Sequence, residues 1–209
     1  MGPYKAAGPD GIQNKVLQQL DETCLRRLLY IYRAMLHIGY TPKVWWSSRV
    51  VYIPKEGKSD YTQVRSFRPI SLMNTFFKVF ERLILWRVLE TSLKDHPMSE
   101  SQHGFRKGRS TASAVSSLVD KIERNILREH YALGVFLDIE GAFDNVSTES
   151  VVSAMKRKNF TAEIIKWYSH YLRNRVAFST HPNGTVSKKL VKGTPQGGIL
   201  SGISSSTSF

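Results

Sequence analysis

The stretch Tyr131-Ala-Leu-Gly-Val-Phe-Leu-Asp138-Ile139, continuing as Glu140-Gly141-Ala142-Phe143-Asp144, decides how the rest of this sequence is read. An unbroken apolar run that stops at a carboxylate has the pattern of a strand buried on both faces. Such a strand would hold Asp138 rigidly at its end, where a divalent cation can be gripped. An isolated aspartate after a strand more often caps the following turn. The reading therefore depends on what stands around it.

Charge gives the first outward step. The 209 residues carry a formal net charge of +13, distributed unevenly. Residues 1–40 hold +2, 41–110 hold +7, 111–155 hold −4 and 156–209 hold +8. An acidic island containing Asp138 thus lies between basic flanks. Basic flanks suit a polyanion, and a local acidic cluster suits a divalent cation.

Composition narrows the class. With 41% hydrophobic and 11% aromatic residues the chain can bury a real core. The single Cys24 excludes an intramolecular disulfide, fits a reducing compartment and reads as a small buried hydrophobe. No apolar run approaches the ~20 residues that cross a bilayer, and the start lacks the apolar block of a secretory signal. Gly2 does not make a myristoylation site, because position 6 is Ala6. These features predict a soluble, intracellular chain, nuclear or cytoplasmic, with no membrane partner.

Periodicity predicts a mixed α/β (α+β) fold, a small, mainly antiparallel sheet backed by long helices. Asp10 can cap a helix over 12–37, and Arg49–Pro54 reads as a strand. Lys55–Arg68 reads as an exposed loop or hairpin. Ile70–Leu93 reads as a heavily apolar, mostly buried helix, followed by a polar loop over 94–109. Ser110 caps a helix to about His130. Thr148 caps one to about Lys158, and another spans 162–173. Two strands, 176–180 and 185–191, flank the turn Pro182-Asn183-Gly184. Gly193 to Ser201 is a turn leading into a helix, and residues 202–209 fit neither period.

Three further segments carry candidate chemistry. The glycines of Gly193-Thr-Pro-Gln-Gly-Gly-Ile-Leu-Ser201 permit close backbone approach to a ligand. Lys55 and Arg68 bracket the loop before Pro69-Ile-Ser71 and could close on a triphosphate, arginine giving the bidentate contact. Gln102-His-Gly-Phe-Arg106-Lys-Gly-Arg109-Ser-Thr111 packs three cations and an aromatic, as a backbone- or stacking-type nucleic-acid contact does. Each segment alone is more often ordinary surface or turn; their combination changes the odds.

In their order, these motifs resemble the reverse transcriptases of non-LTR retrotransposons, nearest to jockey-like elements of animals. The motifs are Ala7-Gly-Pro-Asp-Gly-Ile12, the Arg68–Ser71 block with Lys78 and Glu81 downstream, the Gln102–Thr111 loop, the Leu137–Val146 segment and Gly193–Ser201. The resemblance covers about residues 6–201. It implies the fingers and partial palm of a right-hand polymerase, residues 1–130 and 131–209, and RNA-directed DNA synthesis primed at a nicked target. It implies Asp138 as the first catalytic aspartate, a metal ligand with the backbone carbonyl of Ile139 beside it. Phe143 would be the steric gate favouring deoxynucleotides, with Gln196 and Gly197 bordering the nucleotide pocket. Lys55 and Arg68 would meet the triphosphate, and Arg106 and Arg109 the template. The implied partners are an RNA template, a DNA primer or target and dNTPs. The implied cofactor is Mg²⁺, two ions, with Mn²⁺ as a substitute.

The resemblance also implies a further hairpin with two adjacent aspartates after Gly193–Ser201. The chain has no Asp-Asp pair, and Glu163 is its only acidic residue after Glu149. The expectation is an incomplete polymerase, inactive alone. The alternative is a non-catalytic RNA-binding remnant of a decayed or repurposed element.

Overall fold

The computed structural model describes residues 2–139 and 141–202. Its elements in chain order are α1 (Asn14–Leu17), α2 (Glu22–Ile38), β1 (Ser47–Pro54), β2 (Phe67–Leu72), α3 (Thr75–Glu90), α4 (Ser92–Asp95), α5 (Thr111–Ile126), α6 (Ala142–Asn145), α7 (Thr148–Arg157), α8 (Ala162–Asn174), β3 (Val176–His181) and β4 (Gly184–Lys189). The sheet order is β2-β1-β3-β4. Two pairings are antiparallel, and the central one, β1 with β3, is parallel. The sheet is therefore mixed, within the expected α/β class.

Aromatic residues of α2, α3 and α8 build the core. Phe77 and Phe80 of α3 meet Tyr171 and Trp167 of α8 at ring-centroid distances of 4.5 and 4.8 Å. Tyr32 of α2 stacks on Phe80 at 4.9 Å, and its hydroxyl donates to the Phe76 carbonyl. Burying these rings stabilises the fold by roughly 1.5–3 kcal/mol per side chain on a transfer scale. Sheet and core draw on residues from both sides of position 130.

Several expected boundaries shift for local reasons. The helix expected over 12–37 breaks at Gln18–Asp21, where the Asp21 carboxylate accepts from Cys24 N–H and starts α2 afresh. Asp10 instead accepts from Ile12 N–H in a local turn. Cys24, on the first turn of α2, is exposed and not a buried hydrophobe. The helix expected from Ile70 begins at Thr75, because Phe67–Leu72 pairs with β1. β1 offers Phe67–Leu72 a pairing partner, and Pro69 favours it by pushing Arg68 to extended backbone. α3 is also less buried than expected, with Leu83, Trp86 and Leu89 exposed. The cap of α7 is Ser147, which accepts from Ser150 N–H. Ser110 does cap α5, in a reciprocal capping box with Ser113.

The largest correction concerns 131–139. No strand forms there, and all nine residues are exposed, Leu137 at 90% and Phe136 at 83%. An apolar, β-prone run needs a neighbouring strand for its N–H and C=O groups. Among the described residues none pairs with it. The apolar face of α5 is likewise exposed, with Val115, Val119 and Ile126 open to solvent. Glu140 and residues 203–209, including most of the irregular end, lie outside the described residues.

Candidate functional site

The Gly193–Ser201 turn is anchored on both flanks by backbone hydrogen bonds. Gly193 N–H donates to the Val146 carbonyl at 2.7 Å, and Thr194 N–H to the Phe143 carbonyl at 2.6 Å. Gly193 has φ +83°, and a Cβ there would stand 2.8 Å from the Phe143 oxygen, so only glycine allows this approach. On its other flank, Ser71 N–H donates to the Gln196 carbonyl at 2.8 Å. The turn thus occupies the free edge of β2 and grips the segment that follows Asp138.

Two buried charged residues complete the anchorage. Glu81 of α3 is fully buried, and its Oε2 accepts from Ile199 N–H at 3.1 Å. Burial raises its carboxyl pKa to about 7, against the smaller opposing pull of the Ile199 and Leu200 N–H groups, Lys78 and Arg175. Burial in turn lowers the pKa of Lys78. Arg175, also buried, donates through Nη2 to the Lys192 and Gly193 carbonyls. Neither residue had been given a role from sequence. A signal was present for Glu81: it stands on the Phe77, Ile84, Val88 stripe, where a carboxylate inside an apolar face needs a partner.

The remaining expected residues fall in three groups. Phe143 is half-buried, its ring edge-on to Phe105 at 6.0 Å, and Phe105 also approaches Gly202. That brings the Gln102–Thr111 loop beside the turn. Arg106 donates to the Ser99 carbonyl at 2.9 Å, and Arg109 is exposed. Arg68, opposite Ile53, shares a sheet face with Ile70, and Ile70 Cγ2 lies 3.4 Å from where a Gly197 Cβ would be. Arg68 and Gly197 are therefore on one side of the sheet. Lys55 closes the β1–β2 hairpin: its N–H donates to the Ser66 carbonyl and its Nζ to that of Arg65, both at 2.9 Å. Asp138 and Ile139 are exposed and lead into Gly141–Asn145.

The opposite sheet face carries a cleft of about 320 Å³, with Tyr52 and Gln196 among its lining residues. Lys188, Lys189 and Lys192 line it as well. Among the described residues no three His, Cys, Asp or Glu side chains gather in metal-holding range. Asp138 with one backbone carbonyl does not fit a site for two divalent ions. No helix among the described residues is long and apolar enough to cross a membrane.

Similarity to known proteins converges on one family. Residues 53–208 match the model described as reverse transcriptase (RNA-dependent DNA polymerase). The chain is 33% identical over 198 residues to the RNA-directed DNA polymerase from mobile element jockey of Drosophila melanogaster. That alignment covers 94% of this chain and 21% of the relative. Its counterpart in Drosophila funebris is 30% identical over 200 residues, 95% of this chain and 22% of the relative. The Pol polyprotein from type-1 retrotransposable element R1 of Bradysia coprophila is 28% identical over 193 residues, 92% of this chain and 19% of the relative. The chain spans about a fifth of the length of these relatives.

Proposed function

Because this chain belongs to the reverse transcriptase (RNA-dependent DNA polymerase) family, we propose that it is the template- and nucleotide-handling part of a non-LTR retrotransposon polymerase. The observation that carries the proposal is the pinned turn: Gly193–Gln196 is bonded to the Phe143–Val146 backbone on one flank and to Ser71 on the other. A pocket wall that must sense a correct base pair has to be rigid, and three backbone bonds and two buried ionisable side chains supply that rigidity.

The roles are those that the family resemblance implies. Gln196 and Gly197 border the nucleotide, Phe143 stands as the gate against a 2′-hydroxyl, and Arg68 with Lys55 meets the triphosphate. Arg106 and Arg109 touch the template backbone. Asp138 is the carboxylate at the reacting end, with the Ile139 carbonyl beside it. Residues 1–130 form the fingers and 131–209 part of the palm. The RNA template, DNA primer and dNTPs are the ligands, and the family's divalent ion, Mg²⁺ or Mn²⁺, supplies charge neutralisation when bound. Because the described donors do not fit a two-ion site, the work assigned to this chain is binding and positioning.

Primer extension with an RNA template, an annealed DNA primer, dNTPs and Mg²⁺ tests this directly. The expected result is primer–template binding whose log affinity falls linearly with log salt, without extension. A salt-independent affinity would remove the nucleic-acid role. Incorporation abolished by Asp138→Ala would show that the chain catalyses by itself, against the binding-only reading that the incomplete donor set favours.

A further inference from the structure

A helix apolar on every side is ordinarily covered on every side, and α3 is covered on one. Its Phe77, Phe80, Ile84 and Val88 are sealed in the core, while Leu83, Trp86 and Leu89 stand exposed, Trp86 at 55%. None of the roles assigned above uses these three. Two cavities, of about 400 and 540 Å³, lie against this second face and share Arg82 and Trp86. We infer that they form one docking groove for an acidic amphipathic helix, supplied from outside residues 1–209. Its apolar side chains would lie on either side of Trp86, and its carboxylates would meet Arg82 and Lys107.

Helical spacing explains how the groove is built. Val79, Leu83 and Trp86 recur at i, i+4 and i+7, which sets them in one stripe along α3. Leu17 of α1 lines the first cavity with them. Leu89, the buried Leu93 and Met98, and Phe105 line the second. From Val79 to Leu89 the stripe runs about 15 Å at 1.5 Å per residue, close to three helical turns. A groove of that length takes a short amphipathic helix on its apolar face. Tryptophan and arginine, here shared by both cavities, are the side chains that most often anchor an interface.

Charge complementarity selects the occupant. Arg82, Arg106 and Lys107 line the groove, and among the described residues no Asp or Glu does. Arg106 is held by the Ser99 carbonyl, whereas Arg82 and Lys107 have no ion pair among the described residues. An apolar strip rimmed by cations matches an apolar strip rimmed by carboxylates, and a basic helix would be repelled. The apolar segments of this chain lack that chemistry. The open run 131–137 and residues 203–209 contain no carboxylate. α5 has an open apolar face, but Lys121 and Arg124 offset its Asp120 and Glu123.

The test is fluorescence anisotropy on the full chain with a labelled synthetic peptide about 15 residues long, leucines at i, i+3, i+4 and i+7 and glutamates between them. This peptide should bind. Versions with lysines for the glutamates, or with the leucines scrambled, should bind more weakly by about tenfold or more. Trp86→Ala should lower affinity by about 30-fold, as removal of an interface anchor does. The charge-swap variant R82E/K107E should reverse the preference between the glutamate and lysine peptides. Wild-type affinity in both variants overturns the groove, as does equal binding of the two charged peptides. Displacement of the peptide by oligouridine also overturns it and assigns the face to nucleic acid. Self-association in sedimentation that Trp86→Ala abolishes overturns it in favour of a second copy. None of these failures touches the nucleotide reading of the Gly193 turn.

Discussion

Two apolar regions of this chain behave in opposite ways. Phe77 and Phe80 of α3 and the rings of α8 are sealed, with Phe77 and Trp167 at 0% exposure. The run 131–139, more continuously apolar in sequence, lies open to solvent over its whole length. Hydrophobicity in a sequence reports how much a segment would gain from cover. Burial is decided by whether another element is there to provide it, and α8 provides it for α3 through three ring contacts. For 131–139 and the apolar face of α5, no described element does.

That contrast is open to direct attack. Trp167→Ala should cost about 3–5 kcal/mol in urea unfolding, whereas Phe136→Ser should stay within about 0.5 kcal/mol. Equal losses at the two sites would mean that 131–139 is packed in solution and the contrast is false. Gly193→Ala should cost about 1–3 kcal/mol, because it forces a side chain into left-handed backbone and against the Phe143 carbonyl. Hydrogen exchange should then show faster exchange at the Thr194 amide. An unchanged amide would separate the turn from the Phe143 segment.

A further effect is set by pH. Burial raises the Glu81 carboxyl from its usual 4.5 to about 7, so the folded chain holds that proton more tightly than the unfolded chain. Its contribution is full below 4.5 and is lost as pH rises through about 7. Urea midpoints should therefore decline across that window, and Glu81→Gln should flatten the decline. A variant as steep as wild type would assign the slope to another group.

Much of the fold was legible where local chemistry decides it. Pro182-Asn183-Gly184 marked the β3–β4 hairpin, and Ser110 marked the start of α5. The site was readable as motifs but not as contacts: the bonds from the Gly193 turn to the Phe143 and Val146 carbonyls follow from no spacing in the sequence. Errors arose where tertiary context overrides pattern. Phe67–Leu72 became a strand because β1 was available to pair with it, although Pro69 had already disfavoured helix at Arg68. Glu81 and Arg175 were unassigned because their meaning lies in backbone groups far along the chain. The lysine cleft was visible only as net charge, since a register, and not a spacing, places Lys188 beside Ala177.

The parallel pairing of β1 with β3 has a consequence for how the molecule forms. It joins Ser47–Arg49 to Val176–Phe178, and Ser48 reaches the Val176 carbonyl across 128 positions of chain. Closing so long a loop is entropically expensive before any contact rewards it. During synthesis the β1–β2 hairpin and α3 must therefore wait, partly uncovered, until α8 and β3 have left the ribosome. The late-made segment is the one that completes both sheet and core.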